Sequence, residues 1–166
     1  NIINLIGIQS DIDIYEYEID NTYKTISIWL ETYKNGELIS SGSRMDSQIN
    51  STEGKIAIMV DKDSNYKWKI SHQDTNGLSS YSFGTKNDFD AKGFSVGSGA
   101  LNEPAEITHE KEIVLDIFLF EDGSGMSIYD NQYYVENPEK LKQYDYAYLL
   151  KCKFSKKTTD EINNQE

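Results

Sequence analysis

The chain of 166 residues carries one cysteine, one arginine and two histidines. The lone cysteine, Cys152, excludes an internal disulfide framework and any cysteine-rich zinc site. The lone arginine, Arg44, leaves almost no capacity for the bidentate forks that grip phosphates and carboxylates. Cations are sparse as a class. Sixteen Lys and Arg stand against 28 Asp and Glu, for a formal net charge of −12. Nucleic acid is therefore excluded as the expected partner, because phosphate binding needs clustered positive charge. No apolar run approaches the ~18 residues of a membrane-spanning helix. Neither histidine has a second His or Cys at i+2 or i+4, so no zinc centre and no cofactor is implied.

Aromatic residues, in contrast, are plentiful: 12 Tyr, 6 Phe and 2 Trp, beside many Ile. That is too much apolar surface to leave in water, so most of the chain must fold. A chain of this length buries roughly 68–70% of its unfolded surface as one domain. Residues 1–154 read as that domain. Residues 155–166 have no apolar period and read as a disordered polar tail.

Period-two patterns dominate. In Thr25–Tyr33, Ile26, Ile28 and Leu30 share one face, and Ser27, Trp29, Glu31 and Tyr33 the other. Asn35-Gly36 then predicts a type I′ hairpin turn, which needs φ > 0 at two successive residues. Glu37–Ser43 is the returning strand. Lys55–Asp61 and Tyr66–Gln73 alternate in the same way, and Asn76-Gly77 turns into a short strand at Ser80–Phe83. Glu112–Glu121 is apolar on both faces, as a doubly covered central strand would be. Asp122-Gly123-Ser124-Gly125 turns the chain into Met126–Asp130. The final strand sets Tyr144, Tyr146, Tyr148, Leu150, Cys152 and Phe154 against Asp145, Ala147, Leu149, Lys151 and Lys153. Ile2–Ile8 is apolar, and Asp11–Asp20 changes phase near Tyr15, as a bulge would cause. Asn87 to Glu106 reads as a long loop. Asn137-Pro138 predicts a helix start, with Asn as N-cap and Pro in the first turn. The expected fold is all-β: an antiparallel β-sandwich, Ig-like or related, of about eight or nine strands, with one short helix near 137–143.

Short motifs offer little chemistry. Gly93-Phe94-Ser95-Val96-Gly97 matches the nucleophile-elbow pattern, but no helix follows to lift Ser95 out of a sheet. Ser64-Asn65-Tyr66-Lys67 matches the Ser-x-x-Lys pattern, yet its lysine falls in an alternating strand. Asp61, Asp63 and Asn65 open like a calcium loop, but Tyr66 and His72 stand where Gly and Glu are required. Asn87, Asp88 and Asp90 form a second acidic turn. His72 shares a face with Tyr66, Trp68 and Ile70, as a half-core imidazole, while His109 sits among acids at the surface. With 28 acids, a carboxylate pair of glycosidase type arises by chance alone. Cys152 reads as a buried, inert thiol. The remaining lead is aromatic. Trp29 and Tyr33 project from the face opposite Ile26, Ile28 and Leu30, where flat rings stack on sugars or anchor a protein.

The chain starts at Asn1 rather than Met, and is rich in Ile, Asn, Lys and Tyr but poor in Ala. The expectation is a non-enzymatic, extracytoplasmic domain of a bacterial surface or lipoprotein-like protein, secreted or tethered upstream of Asn1, that binds a protein or other ligand. A cytoplasmic domain is the alternative location. The alternative functions are a carbohydrate-binding module using Trp29 and Tyr33, and a small hydrolase using Ser95 or a carboxylate pair.

Overall fold

A computed structural model describes residues 11–42, 44–85, 89–123 and 125–165. The apolar Ile2–Ile8 segment and the Asn87-Asp88 part of the second acidic turn lie outside the described residues. The strands are β1 (Asp11–Glu18), β2 (Thr25–Lys34), β3 (Glu37–Ser40), β4 (Arg44–Gln48), β5 (Glu53–Asp61), β6 (Lys67–Asp74), β7 (Gly77–Phe83), β8 (Ser95–Ala100), β9 (Ile113–Glu121) and β10 (Tyr146–Ser155). Helical structure is confined to α1 (Asn131–Glu136), a 3₁₀ helix over Pro138–Gln143, and α2 (Thr159–Asn163) among the described residues. The all-β, antiparallel expectation holds, with its short helix at the expected place. Among the described residues no helix is long and apolar enough to cross a membrane.

The strands fall into two compact units, Asn1–Asn21 with Ile49–Asn87, and Thr22–Gln48 with Asp88–Glu166. The first unit is a four-stranded sheet in the order β1-β5-β6-β7. Alternation in β5 and β6 sends Ile56, Ile58, Val60, Trp68, Ile70 and His72 to one buried face. The bulge expected near Tyr15 does not form. β1 pairs β5 without a break from Asp11–Val60 to Glu18–Glu53, which sets Asp13 beside Ile58. An edge strand tolerates that one polar residue more cheaply than a lost ladder bond. The β6–β7 turn centres one residue earlier than expected: Asp74 pairs with Gly77, and the Asp74 carboxylate accepts the Asn76 N–H at 2.8 Å.

In the second unit the sheet runs β3-β2-β10-β9-β8, with β4 also pairing β2. Asn35 (φ 50°) and Gly36 (φ 81°) make the left-handed pair that the β2–β3 hairpin requires. β9 and β10 lie centrally and are buried on both faces, as the apolar run over 113–121 predicts. On one face, Val114, Ile117, Leu119, Ala147 and Leu149 are covered by Tyr134 of α1, Leu141 of the 3₁₀ helix, and Tyr144. Truncating a side chain as buried as Leu141 costs about 2–5 kcal/mol.

Four expectations for this unit need correction. The long loop over 87–106 contains β8, an edge strand whose Gly97 and Gly99 disguised it as loop. Met126–Asp130 has no regular structure and leads into α1, which the sequence reading missed because its six residues are too few for a helical period. Asn137 caps nothing with its side-chain oxygen; its amide and backbone N–H both donate to the Tyr133 carbonyl and close α1 instead. Among its described residues, 155–165, the polar tail takes up regular structure. β10 runs to Ser155, and α2 starts from a reciprocal capping box between Thr158 and Glu161 that buries Ile162. That capping pattern stands in the sequence, but with one apolar residue behind it there was no period to notice.

Candidate functional site

β2 lies between β10 on one side and β3 and β4 on the other. Residues directly opposite in an antiparallel ladder share a face. Ser27 faces Lys153 and Asp46, Trp29 faces Lys151 and Arg44, and Tyr33 faces Leu38. One face of this sheet therefore gathers two aromatics, the sole arginine, two lysines and two acids. The sequence pattern placed Trp29 and Tyr33 here; the strand pairing adds the rest.

Glu31 is the hub. Its Oε1 lies 2.8 Å from Lys151 Nζ and accepts the Tyr33 hydroxyl at 2.6 Å, while its Oε2 accepts the Trp29 indole N–H at 2.9 Å. Lys151 also reaches Glu112 at 3.5 Å. The side chains of Glu31 and Lys151 are each 9% exposed, so this is a largely desolvated pair. Burial alone would raise the Glu31 pKa. The hydrogen bonds from Lys151, Trp29 and Tyr33 outweigh it and hold the carboxyl below its ordinary value. The Tyr33 hydroxyl moves the other way, pushed up by burial and by its bond to the Glu31 carboxylate. Next along the face, Arg44 Nε donates to Asp46 Oδ1 at 2.8 Å, and the Ser27 hydroxyl donates to the same oxygen. The Lys153 ammonium stands 5.9 Å above the Trp29 ring.

This face is not the open outer surface that simple alternation implies. Along β2 both faces are largely buried, and Trp29 and Tyr33 are half-buried. Tyr33 packs against the cluster formed by Val114, Ile117, Tyr134 and Leu149. Glu31 was legible as the residue between the two aromatics at period two. Lys151 and Arg44 were not, because which strands flank β2 is a tertiary fact.

The other candidates separate. Ser95 opens β8 opposite Glu121, and its hydroxyl donates to the Gly123 carbonyl. His109 is exposed and accepts the Lys156 N–H at 3.0 Å, beyond the other end of β9. Nine residues of strand, roughly 25–30 Å, divide the two. Asp61 accepts the Ser64 N–H at 3.2 Å inside an exposed turn; Asp63 and Asn65 lie in the same turn. Among the described residues no three His, Cys, Asp or Glu side chains group as metal ligands. His72 is buried, with its Nε2 2.7 Å from the Tyr17 hydroxyl. Cys152 is buried, and desolvation pushes its thiol pKa up to about 12, which suppresses the thiolate.

A family model for the YgaN domain matches residues 1–154, and the chain belongs to that family. No curated protein and no solved structure matches the chain.

Proposed function

We propose that this YgaN-family chain is a non-catalytic, extracytoplasmic binding domain of a bacterial surface or lipoprotein-like protein, and that the Trp29–Tyr33 face receives a protein partner. What supports a partner here is that both rings are locked by one carboxylate while only partly buried, with Leu38 52% exposed directly beside Tyr33. Rings whose orientation is already fixed lose little rotamer freedom on association. Trp, Tyr and Arg are the residue types that dominate binding energy at protein interfaces, and Arg44 stands beside Trp29. The extracytoplasmic location rests on composition and is tested by labelling intact cells with a membrane-impermeant amine reagent.

Photo-crosslinking in the producing cells tests the binding face. A benzophenone side chain replaces Leu38 in one variant and Lys69, on the other sheet, in a control. A discrete crosslink to one protein from position 38, absent from position 69 and lost with Trp29→Ala, is the expected result. Trp29→Ala should weaken that partner by roughly 2 kcal/mol or more. Retention on a glycan array that Trp29→Ala abolishes, without a protein crosslink, would replace protein with carbohydrate. No crosslink and no glycan retention would overturn the site.

A further inference from the structure

A second surface of the same unit presents apolar side chains without the polar anchoring of the Trp29 face. Ile128 is 41% and Tyr129 42% exposed, and both sit on an irregular segment, a place where large apolar groups are normally turned inward. The segment is nevertheless held firmly. The Tyr129 backbone N–H donates to the Tyr134 hydroxyl at 3.1 Å. That hydroxyl is 2.9 Å from the Tyr144 hydroxyl, which donates in turn to the Ser127 carbonyl. Two buried tyrosines thus fix the backbone on both sides of Ile128. Below it, the Ile128 and Met126 side chains lie on β8 at Gly97, where a Cβ would collide with both. Beside it, the Tyr129 ring stacks on Tyr133 at 4.3 Å and 30°. A loop pinned at several points while exposing its largest side chains is a preorganised contact surface.

Charge defines what it fits. No Lys, Arg or His occurs between Lys111 and Lys140, whereas Glu121, Asp122, Asp130, Glu136 and Glu139 do. Asp130, the N-cap of α1, and Glu136 each stand three residues from Tyr133, one on either side, so each carboxylate neighbours the tyrosine stack. Asp130 spends no side-chain bond on capping that helix. An aromatic platform lined by carboxylates on an acidic chain complements cations carried next to apolar groups: the ring faces attract ammonium or guanidinium, and Ile128 takes the apolar part. We infer that the Ile128–Tyr129–Tyr133 surface is a docking site for a basic, apolar-containing polypeptide segment of a partner protein.

The test uses a synthetic amphipathic peptide of alternating Lys and Leu, and its Glu/Leu counterpart, titrated by isothermal calorimetry against the full chain. Expected are binding of the Lys peptide, none of the Glu peptide, and at least a tenfold loss with Tyr129→Ser. Asp130→Asn with Glu136→Gln should produce a similar loss and flatten the salt dependence. Asp61→Asn with Asp63→Asn removes the same charge from the other unit and should leave binding unchanged. Circular dichroism confirms that each variant is folded; if Tyr129→Ser is not, the Asp130/Glu136 pair decides. Equal losses from the Asp61/Asp63 and Asp130/Glu136 pairs would reduce the effect to net charge and overturn the site. So would undiminished binding by Tyr129→Ser, or failure of the Lys peptide to bind at all.

Discussion

Replacing Lys151 with Met removes the cation from a carboxylate that has little water to fall back on. In the native protein Glu31 accepts from Lys151 at 2.8 Å, from Tyr33 at 2.6 Å and from Trp29 at 2.9 Å. After Lys151→Met the two neutral donors remain, but the charge is uncompensated. Breaking a buried pair in this way costs about 3–5 kcal/mol; the surviving donors place this case near the lower end, about 3 kcal/mol. The reverse change should cost less. Glu31→Gln keeps one acceptor oxygen for Lys151 and Tyr33, gives up the bond from the Trp29 indole N–H, and leaves Lys151 with Glu112 at 3.5 Å, a carboxylate whose side chain is far more exposed. That predicts roughly 1–2 kcal/mol, the scale of a charged hydrogen bond weakened rather than abolished. A pH arm follows from the sign of the shift. The native Glu31 pKa lies below its unfolded value, so its contribution is complete above about pH 4.3 and fades as pH falls through the folded value. In Lys151→Met burial is opposed only by the neutral donors and lifts the carboxyl above the unfolded value, so protonation relieves the variant as pH falls. The stability gap between wild type and Lys151→Met, measured by urea unfolding, should therefore be widest at pH 7 and narrow toward pH 4. A gap under about 1 kcal/mol at pH 7, a larger loss from Glu31→Gln than from Lys151→Met, or a gap independent of pH would refute the reasoning.

Three further outcomes are expected. Burial lowers the pKa of His72, opposed more weakly by Asp74, so below about pH 6.5 the unfolded chain takes up the proton first and stability falls with pH; His72→Gln should flatten that part of a melting-temperature profile. Gly97→Ala should cost about 1–3 kcal/mol through overpacking against Ile128 and Met126, and Ile128→Ala should recover part of it; loss without recovery in a melting assay would point to backbone strain in β8 instead. Cys152 should resist a thiol reagent in the native protein and react promptly in denaturant, and fast native labelling would mean that β10 does not hold it in the core.

Strands were legible wherever one face is apolar and the other polar, because alternation reports burial directly. β5 and β6 show this: Ile56, Ile58 and Val60, then Trp68, Ile70 and His72, mark their buried face without any knowledge of neighbours. The β2–β3 hairpin was legible for a local reason, since Asn35 and Gly36 are the residues that accept positive φ cheaply. β8 failed the same test. Ser95–Ala100 has one branched apolar residue, and its glycines are there because Asn131, Met126 and Ile128 lie against the backbone. Composition that signals a loop was the imprint of a close approach from a segment some thirty residues away. α1 escaped for a related reason: Asn131 and Tyr134 are buried by what they bond to, not by a helical stripe.

The site shows where such reading stops. A polar residue on a strand opposite an apolar face is normally taken as solvated, and the alternation of β2 and β10 puts Ser27, Glu31 and Lys151 in that position. All three are buried, and each has a partner on that same face: Ser27 with Asp46, and Glu31 with Lys151. A charge of either sign looks like surface in one dimension; it becomes interior only when its counter-charge arrives on another strand. Lys151 reaches Glu31 because β10 inserts between β2 and β9, a pairing of residues 120 positions apart along the chain. The candidate residues were therefore half visible. The aromatics declared themselves by type, while the carboxylate and ammonium that orient Trp29 and Tyr33 could be recognised only after the strand order was known.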